Sequence, residues 1–308
     1  MKRYIIANPA SGSNKGRKLW ERITAYIKES GVECEIMLTR KKYDATRFAY
    51  HITSTGGDEE IILIVFGGDG TLNEVINGIN SFKNLKFGYI PSGSGNDFAR
   101  AMNIKFDIEK SMDMLLNPNL YTEIDYGLTN FDGETRRFLI SSGAGYDAHI
   151  CEAVNSSGLK AVLNRLKLGK LTYLVLGVTE MIKLHPYAAD LVLSSGQKLR
   201  LERMIFTSAH ILPFEGGGFK FCPEADGTDG LLDVCVISGI SKVKALCLIP
   251  LAKFGLHVHF NGIETYRCSR IEITSEKKIC IHTDGETFPY TKKAVFESGK
   301  NKLRFILY

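Results

Sequence analysis

The strongest chemical signal in the sequence is a glycine-rich segment that directly follows an apolar run. Ile61–Phe66 leads into Gly67-Gly-Asp-Gly-Thr71 and then into a helical pattern. Such a strand-to-helix junction leaves backbone N–H groups at the helix N-terminus, where they can hold phosphate oxygens. The alternative is a plain turn in which Thr71 caps the helix and Glu74 completes a capping box. Capping alone does not require three glycines around an acid, so the segment favours a phosphate site.

Two further loops have a similar composition. Pro91-Ser-Gly-Ser-Gly-Asn-Asp97 follows a later apolar run, and its last two residues could cap a helix. Asn8-Pro-Ala-Ser-Gly12 follows the first apolar run and precedes the basic stretch Lys15–Lys18. Neither the P-loop pattern GxxxxGK[ST] nor a GxGxxG after the first strand is present. The three loops therefore predict a phosphate site of another kind.

The elements that must position these loops alternate between strand-like and helical periodicity over the first 125 residues. The predicted strands are Tyr4–Ala7, Cys34–Leu38, Ile61–Phe66 and Phe87–Ile90, and the predicted helices are Arg17–Ser30, Asp44–Ser54 and Thr71–Ile79. This order predicts an α/β domain with a doubly wound parallel sheet and helices on both faces. Ligands bind such sheets at the carboxyl ends of the strands, where the three glycine-rich loops stand.

From about Leu128 the pattern changes to short strands broken by turn signals, which predicts a β-rich, sandwich-like or barrel-like second domain. Helical insertions are expected around Leu159–Leu184 and Ser241–Phe254, and His257–His259 has a strand-like pattern without metal-site neighbours. We place the domains at residues 1–126 and 127–302. A final strand at residues 303–308 could return to the first domain.

Composition limits the classes of protein to consider. The chain has 308 residues and a net charge of +5, which suits about two ordinary globular domains. No run of basic residues favours nucleic-acid binding. No uncharged stretch approaches the roughly 18 apolar residues that a transmembrane helix needs, and the N-terminus lacks a secretory signal. Seven scattered cysteines form no metal or redox motif, so we expect a cytoplasmic protein.

Taken in order, the three loops resemble the catalytic domain of bacterial diacylglycerol kinases and related lipid kinases. The matching motifs are Asn8-Pro-x-Ser-Gly12, Gly67-Gly-Asp-Gly-Thr-Leu-Asn-Glu74 and Pro91-x-Gly-Ser-x-Asn-Asp97-Phe-Ala-Arg100. The group is also similar to sphingosine, ceramide and, more distantly, NAD kinases. Ser94 stands where the family usually has Thr, which keeps the hydroxyl.

The resemblance continues into the second half of the chain. Its motifs there are Gly216-Gly-Gly218, Pro223-Glu-Ala225 with Asp229-Gly230, and Asp284-Gly-Glu286. On local grounds alone, a hairpin turn is the favoured explanation of Asp284–Glu286, and Asp226–Gly230 is as well explained by a plain turn as by a loop for a hard cation.

The resemblance implies an NAD kinase/diacylglycerol kinase-like fold in which ATP lies in the cleft between the two domains. The implied nucleotide contacts are Asn8, Pro9, Ala10, Ser11, Gly12, Thr39, Gly67, Gly68, Asp69, Gly70, Thr71, Asn73 and Ser94. Glu286 corresponds to the catalytic proton acceptor, and Asp69 and Asp97 correspond to the acids at the Mg-nucleotide site. A structural Mg²⁺ site is implied at Asp229, with backbone carbonyls of Asp226 and Leu231. A competing assignment makes Asp69 the base.

We therefore expect an ATP-dependent lipid kinase that phosphorylates diacylglycerol. A sphingoid-base or other lipid kinase, an NAD kinase and a non-enzymatic nucleotide-binding sensor are the alternatives. A predicted helix combines an apolar stripe with four basic residues, Lys160, Arg165, Lys167 and Lys170. This pattern suits peripheral association with the inner membrane surface, and it suits equally a helix packed on the sheet with a solvated basic face. The sequence leaves open whether the protein is a homodimer.

Overall fold

The chain divides into two compact units in a computed structural model, which describes residues 1–12, 14–55, 57–156 and 169–308. The first unit contains Met1–Tyr126, Gly216–Gly218 and Gly299–Tyr308, and the second contains Gly127–Glu215 and Phe219–Ser298. The chain thus leaves the first unit, builds nearly all of the second and returns to the first at its end.

A six-stranded sheet forms the centre of the first unit. Its strands are β1 (Lys2–Ala7), β2 (Glu35–Leu38), β3 (Ile61–Gly67), β4 (Leu85–Pro91), β5 (Tyr121–Ile124) and, from the end of the chain, β17 (Leu303–Ile306). Their spatial order is β2-β1-β3-β4-β17-β5. All neighbours are parallel except β5, which runs antiparallel to β17.

Helices cover both faces of this sheet, as the sequence predicts for a doubly wound fold. The helices are α1 (Asn14–Ser30), α2 (Asp44–Thr55), α3 (Asp69–Gly78), α4 (Asp97–Ala101) and α5 (Ile108–Leu116). Ile62, Ile64 and Phe66 of β3 belong to one apolar cluster with residues of α1 and α5. Side chains alternate along a strand, so the intervening β3 residues face the layer that contains α2 and α3.

Two helix starts differ from the expected capping. Helix α3 begins at Asp69 with Gly68 as its N-cap and no side-chain capping bond, so the alternative of a capping box at Thr71 and Glu74 is not formed. The Thr71 hydroxyl instead accepts a hydrogen bond from the Asn8 side chain. Asn96 precedes α4 with a φ of 52°, and its amide donates to the Gly93 carbonyl instead of capping the helix.

The second unit is built on a nine-stranded antiparallel sheet, in agreement with the β-rich expectation. Its strands are β6 (Gly127–Phe131), β7 (Glu134–Phe138), β8 (Ser141–Gly145), β9 (Tyr187–Leu193), β10 (Lys198–His210), β13 (Leu232–Ser238), β14 (Ile263–Cys268), β15 (Arg270–Thr283) and β16 (Glu286–Ser298). The short strands β11 (Phe214–Glu215) and β12 (Phe219–Lys220) form a separate pair. Strands β10 and β15 each pair with both β8 and β9, so β8 and β9 lie end to end between these two long strands.

Three helices pack on this sheet: α6 (Tyr146–Ser156), α7 (Gly169–Lys183) and α8 (Lys242–Ala252). The expected helix at 159–184 agrees with α7, but residues 159–168 lie outside the described part of the chain. Lys160, Arg165 and Lys167 are therefore outside the described residues, and the side chain of Lys170 is not described either. No described helix has both the length and the apolar character to cross a membrane.

The strand expected at His257–His259 is wrong. Leu256–His259 forms a 3₁₀ helix, and Gly255 before it has a φ of 74°. The left-handed conformation of this glycine reverses the chain, which prevents an extended continuation.

Candidate active site

The three glycine-rich loops (residues 8–12, 67–71 and 91–97) contact one another at the carboxyl ends of β1, β3 and β4. The backbone N–H of Ser92 donates to the Gly67 carbonyl at 2.8 Å. The Ser11 hydroxyl donates to the Asn8 carbonyl at 2.8 Å and also contacts the Ser92 hydroxyl. The Asn8 amide donates to the Thr71 hydroxyl at 3.2 Å. Residues far apart in the sequence thus form one surface of small and polar groups.

Glycine is required where these loops touch. A Cβ atom on Gly93 would lie 2.6 Å from Gly68 Cα, and one on Gly68 would lie 3.1 Å from Gly93 Cα. A Cβ on Gly12, whose φ is +66°, would lie 1.8 Å from the Ser92 carbonyl oxygen. The close approach of backbones explains the glycines without reference to a ligand, and it also leaves the loops open to one.

Asp69 and Asp97 stand side by side in this surface. The Asp69 carboxylate accepts from the Asp97 backbone N–H at 3.1 Å. Asp97 forms an ion pair with Arg100 and accepts from the Gly217 N–H at 2.7 Å. A Cβ on Gly95 would lie 3.2 Å from one Asp69 oxygen and 4.0 Å from one Asp97 oxygen, so both carboxylates face the same loop. Paired carboxylate oxygens are the donor set that Mg²⁺ prefers, and these residues fit that ion by chemistry.

Tyr89 lies close enough to the two acids to feel their charge. Burial raises the pKa of this phenol well above its ordinary value, and the charges of Asp69 and Asp97 add to the effect. The phenol therefore stays protonated, and it donates to the Gly67 carbonyl at 3.2 Å. It supports the loop after β3 as a neutral donor.

A cavity of about 280 Å³ adjoins the loops and contains the predicted contact Thr39. The basic residues Arg40, Lys41 and Lys42 line it, together with Asn8, Ala10, Thr71 and Glu74. This basic triplet is not among the residues predicted from the sequence, although three consecutive cations directly after a predicted strand are a usable signal. The triplet gives the cavity a positive lining that suits an anionic ligand.

The loop that carries the triplet is held by the first residue of α2. One oxygen of Asp44 accepts from the Arg40 and Lys41 N–H groups at 2.9 and 3.0 Å. The hydrogen bond from the Arg40 backbone, together with the nearby Arg47 guanidinium, lowers the pKa of Asp44 to about 2. The carboxylate therefore stays ionised and keeps the loop in place.

The remaining predicted nucleotide contacts occupy less central positions. Pro9 lies in the first loop, and Gly70 is exposed in the first turn of α3. Asn73 is buried in α3, where its carbonyl accepts from the Asn77 amide. Ser94 is exposed in the loop after β4. Their roles toward a nucleotide stay predictions.

Glu286, the predicted proton acceptor, is the first residue of β16 in the second unit. Asp284 and Gly285 form the two-residue turn before it, with φ values of 46° and 86°. The local hairpin interpretation is therefore right, and the same turn presents Glu286. The Asn155 amide of α6 donates to the Gly285 carbonyl at 3.0 Å.

Asp284 anchors this turn. Its carboxylate accepts from three consecutive backbone N–H groups, those of Leu139, Ile140 and Ser141, at 3.0, 2.9 and 3.1 Å. Nothing local in the sequence signals these partners, which precede Asp284 by more than 140 positions. Asp284 thus holds the hairpin turn against the start of β8.

The predicted magnesium loop is closed by contacts of its own. Asp226 accepts from the Thr228 N–H at 3.0 Å, and Asp229 accepts from the Leu231 N–H at 2.8 Å. The second oxygen of Asp229 forms an ion pair with Arg267. The guanidinium thus supplies positive charge beside the acids, and the Mg²⁺ role of this loop stays a prediction.

The second unit also contains a largely buried group that the sequence does not predict, the His–carboxylate cluster of Asp147, Glu215 and His282. His282 Nε2 lies 3.2 Å from Asp147 Oδ2 and 3.4 Å from Glu215 Oε1. Burial lowers the pKa of His282, but the hydrogen bond with Asp147 and the charge of Glu215 outweigh it and raise the pKa to about 9. Residues so widely spaced in sequence give no motif.

Comparisons with known proteins cover most of the chain. Residues 2–128 match the family model of the diacylglycerol kinase catalytic domain, and residues 140–297 match that of the YegS C-terminal NAD kinase beta sandwich-like domain. A diacylglycerol kinase of Bacillus subtilis is 30% identical over 285 residues, which cover 92% of this chain and 88% of that protein.

Solved structures show the same fold. A diacylglycerol kinase from Bacillus anthracis has a TM-score of 0.69 at 19% identity and covers 100% of this chain and 97% of its own. An NAD kinase from Archaeoglobus fulgidus in complex with ATP has a TM-score of 0.54 at 12% identity, with 99% and 93% covered. Together with the matches in sequence, these findings show that the chain belongs to the diacylglycerol kinase family of lipid kinases, which are phosphotransferases.

Proposed function

We propose that the protein transfers the γ-phosphoryl group of ATP to a membrane lipid, and that the lipid is diacylglycerol. The observation that carries the proposal is the contact of three glycine-rich loops around Asp69 and Asp97. Phosphoryl transfer depends mainly on positioning and on charge neutralisation, and this surface offers both. The name of the Bacillus subtilis relative supports diacylglycerol as the acceptor.

The nucleotide side of the reaction belongs to the first unit. Backbone N–H groups and the hydroxyls of Ser11 and Thr71 orient the phosphates, and Arg40–Lys42 offset their charge from the neighbouring cavity. When bound, Mg²⁺ neutralises charge that develops on the phosphoryl oxygens. Asp69 and Asp97 are the residues that hold it in this proposal.

Glu286 accepts the proton of the lipid hydroxyl in this scheme. An alcohol is a weak nucleophile at neutral pH, so a carboxylate positioned as a general base raises the reaction rate by a factor of about 10² to 10⁴. The competing base, Asp69, uses its oxygens to accept from the Asp97 and Phe98 backbone N–H groups at 3.1 and 3.4 Å. That engagement favours a binding role for Asp69 and leaves the base to Glu286.

The decisive experiment supplies labelled ATP and Mg²⁺ with a total bacterial lipid extract, then identifies the labelled product by mass spectrometry. Phosphatidic acid is the expected product. Parallel reactions with purified diacylglycerol, sphingosine and NAD separate the alternatives. Labelling of a different lipid would replace the acceptor, and labelling of none of these substrates would contradict the proposal.

We further propose that α8 and the turn after it rest on an anionic membrane surface. Val243, Cys247 and Pro250 are exposed at helical spacing along α8, and Phe254 and Leu256 are exposed just beyond it. Phe254 is 72% exposed and Val243 is 71% exposed. Apolar side chains that recur on one exposed face of a helix are typical of an interfacial surface.

Charge supports an anionic bilayer as the partner of this α8 surface. The sequence contains no Asp or Glu from Val234 to Ile263, whereas Lys242, Lys244 and Lys253 lie on or next to α8. Each lysine near an anionic bilayer adds about 1 kcal/mol of attraction. A second copy of the chain meeting the same surface would bring like charges together, which disfavours self-association.

Sedimentation with vesicles tests this surface. Wild-type protein is expected to bind vesicles rich in phosphatidylglycerol, and Phe254→Glu is expected to weaken binding at least tenfold. Leu120→Glu changes an apolar residue that is 61% exposed in the first unit and serves as the matched control. Equal binding of Phe254→Glu and Leu120→Glu would reject the surface without touching the kinase assignment.

A further inference from the structure

The turn that presents Glu286 is held at both ends of Gly285. The Gly285 N–H donates to His282 Nδ1 at 3.3 Å, and the Gly285 carbonyl accepts from the Asn155 amide at 3.0 Å. These groups belong to the two peptide units that directly precede Glu286. Because a peptide unit is planar, a hydrogen bond at its N–H or its carbonyl orients the whole unit. Two side chains thus orient the backbone that carries Glu286.

The turn needs such contacts because strand pairing alone does not fix it. Thr283 pairs with Glu286, and the two residues between them have positive φ values. Rotation of the peptide that joins Asp284 to Gly285 converts this kind of turn into another with the same length. Gly285 has the backbone freedom for that rotation. The bond from its N–H to His282 opposes the rotation.

Helix α6 supplies both contacts. Asn155 lies near its end, and Asp147 lies in its first turn with Oδ2 3.2 Å from His282 Nε2. A backbone N–H can only donate, so Nδ1 of His282 is unprotonated and Nε2 donates to Asp147. The other Asp147 oxygen accepts from the Ala148 N–H at 2.8 Å, which fixes the carboxylate. Hydrogen bonds therefore connect α6 through His282 to Gly285.

The contact between Asp147 and His282 is enclosed by β8. The two side chains are 6% and 0% exposed. Gly143 of β8 pairs with His282, and a Cβ on Gly143 would lie 1.8 Å from Asp147 Oδ2. Glycine at this position therefore allows the Asp147 carboxylate to reach the ring.

Only the neutral ring of His282 can accept from Gly285. A second proton would lie on Nδ1 and face the Gly285 N–H, which would then have no acceptor there. The titratable groups around the ring are Asp147 of α6, Glu215 of β11, Asp284 of the turn and His210 of β10. The pKa of His282 is raised to about 9, so the neutral ring predominates above that pH. The contact with Gly285 is therefore tested above pH 9.

We propose that α6 positions the catalytic base through Gly285, with Asp147 and His282 acting on its N–H and Asn155 on its carbonyl. This inference rests on the proposed role of Glu286 as the proton acceptor. His282 and Asn155 are positioning residues in this scheme, and Asp147 holds His282. A misplacement of about 1 Å can lower a rate about a hundredfold, so loss of either contact should reduce kcat and leave the KM for ATP unchanged.

Two replacements of His282 separate positioning from a merely structural role. His282→Asn offers an amide oxygen to the Gly285 N–H and gives up the contact with Asp147. His282→Gln reaches Asp147 with its amide nitrogen and leaves the Gly285 N–H without an acceptor. We expect kcat to fall at least tenfold in His282→Gln and only about threefold in His282→Asn. The unfolding midpoint should follow the opposite order, because His282→Asn leaves the buried Asp147 without its donor.

Asn155 is tested by a change of equal size. Asn155→Asp replaces the donor amide by a carboxylate oxygen, so kcat should fall at least about threefold. Asn130→Asp is the matched control, because the Asn130 amide donates to the Glu297 side chain at 2.9 Å. Asn130 pairs with Val295, far along β16 from Glu286, so its replacement should leave kcat unchanged.

Nuclear magnetic resonance provides a readout that does not depend on catalysis. The ¹⁵N chemical shifts of the wild-type His282 ring distinguish its two neutral tautomers, and the signals are assigned by their absence in His282→Asn. We expect the proton on Nε2 above pH 9. A proton on Nδ1 would overturn the proposal, because that nitrogen could not accept from Gly285.

The kinetic outcomes separate this inference from the proposed function. Lower kcat in His282→Gln than in His282→Asn, and in Asn155→Asp than in Asn130→Asp, supports the positioning role. A kcat that follows the stability order, or an Asn155→Asp variant as active as Asn130→Asp, overturns it even when Glu286→Gln is inactive. Near-normal turnover in Glu286→Gln, with the His282 proton on Nε2, would instead reject Glu286 as the base and the positioning role with it.

Discussion

The two units hold their candidate catalytic groups in different ways. In the first unit, three loops at neighbouring strand ends contact one another through backbone atoms and small side chains, as in the Gly68–Gly93 approach. In the second, Glu286 depends on a hairpin whose turn is fixed by long-range hydrogen bonds from Asp284. A site formed mainly by backbone atoms can be predicted from local sequence motifs. The position of the hairpin cannot, because it depends on residues that come together only after the sheet forms.

This contrast gives different expectations for mutations in the two units. Side-chain changes in the second unit should separate cleanly into chemistry at Glu286 and stability at Asp284. Changes in the first unit should act through loop shape and affect nucleotide binding before the reaction itself.

The largest effect is expected at Glu286. Glu286→Gln keeps size and hydrogen bonding but removes the base, so turnover should fall by about 10² to 10⁴. Steady-state kinetics with diacylglycerol micelles measures turnover, and calorimetry measures ADP affinity, which should not change. Near-normal turnover in Glu286→Gln, together with a severe loss of turnover in Asp69→Asn, would instead assign the general base to Asp69 in the first unit.

A large effect on stability is expected at Asp284. Asp284→Ala leaves three partly buried backbone N–H groups without their acceptor and should lower the free energy of unfolding by about 2–4 kcal/mol. Urea unfolding measures it. Asp132→Ala is the control, since Asp132 has the same φ of 46° in the turn after β6 but accepts one side-chain hydrogen bond, from Thr291, in place of three backbone ones. Equal losses in both variants would show that turn conformation, and not the anchor, carries the effect.

A smaller effect on binding is expected at Gly68. Gly68→Val presses a branched side chain against Gly93 and should weaken ADP binding at least tenfold, about 1.4 kcal/mol. Gly31→Ala, at a φ of +66° after α1 with open space around its Cβ position, strains the backbone away from the loops and serves as the control. Unchanged ADP affinity in a folded Gly68→Val variant would remove the loop after β3 from the nucleotide site.

The smallest effect depends on pH and concerns Asp44. Its folded-state pKa of about 2 lies below the ordinary value of 3.8, so its contribution to stability is present above about pH 4 and is lost as pH falls toward 2. Asp44→Asn should therefore be less stable than wild type at pH 7, and the difference in the free energy of unfolding should become smaller in acid. Asp58→Asn, which loses an exposed pair with Lys83, should differ little from wild type at either pH. If the difference in the free energy of unfolding between Asp44→Asn and wild type stays constant from pH 7 to pH 2.5, the ionised Asp44 carboxylate is not the source of that stability.

Much of the first unit could be predicted from the sequence because its signals are local. The four early strands lie within a few residues of the predicted ones, since apolar runs and turn residues mark them directly. The helix start at α3 was placed two residues late, because Thr71 is a good capping residue in isolation. In the folded chain its hydroxyl accepts from Asn8, a contact that no local pattern encodes.

The second unit shows what sequence patterns miss. The Asp284–Gly285 turn was readable as a hairpin, but its anchor on the N–H groups of residues 139–141 was not. The His–carboxylate cluster joins Asp147, Glu215 and His282 through sheet pairing over long separations, so no spacing rule reveals it. At Leu256–His259 an alternating pattern predicted a strand, and the left-handed Gly255 redirected the chain.

The position of β17 has a consequence for synthesis of the protein. This strand lies between β4 and β5, yet it is made after the whole second unit. A ribosome adding about 5–20 residues per second needs roughly 10–40 s to pass from Ile124 to Leu303. During that interval β4 and β5 have no strand between them, and their unpaired edges are open to wrong partners. The first unit is begun first and completed last, so we expect nascent chains stalled before Leu303 to depend on chaperones although most of their residues are already made.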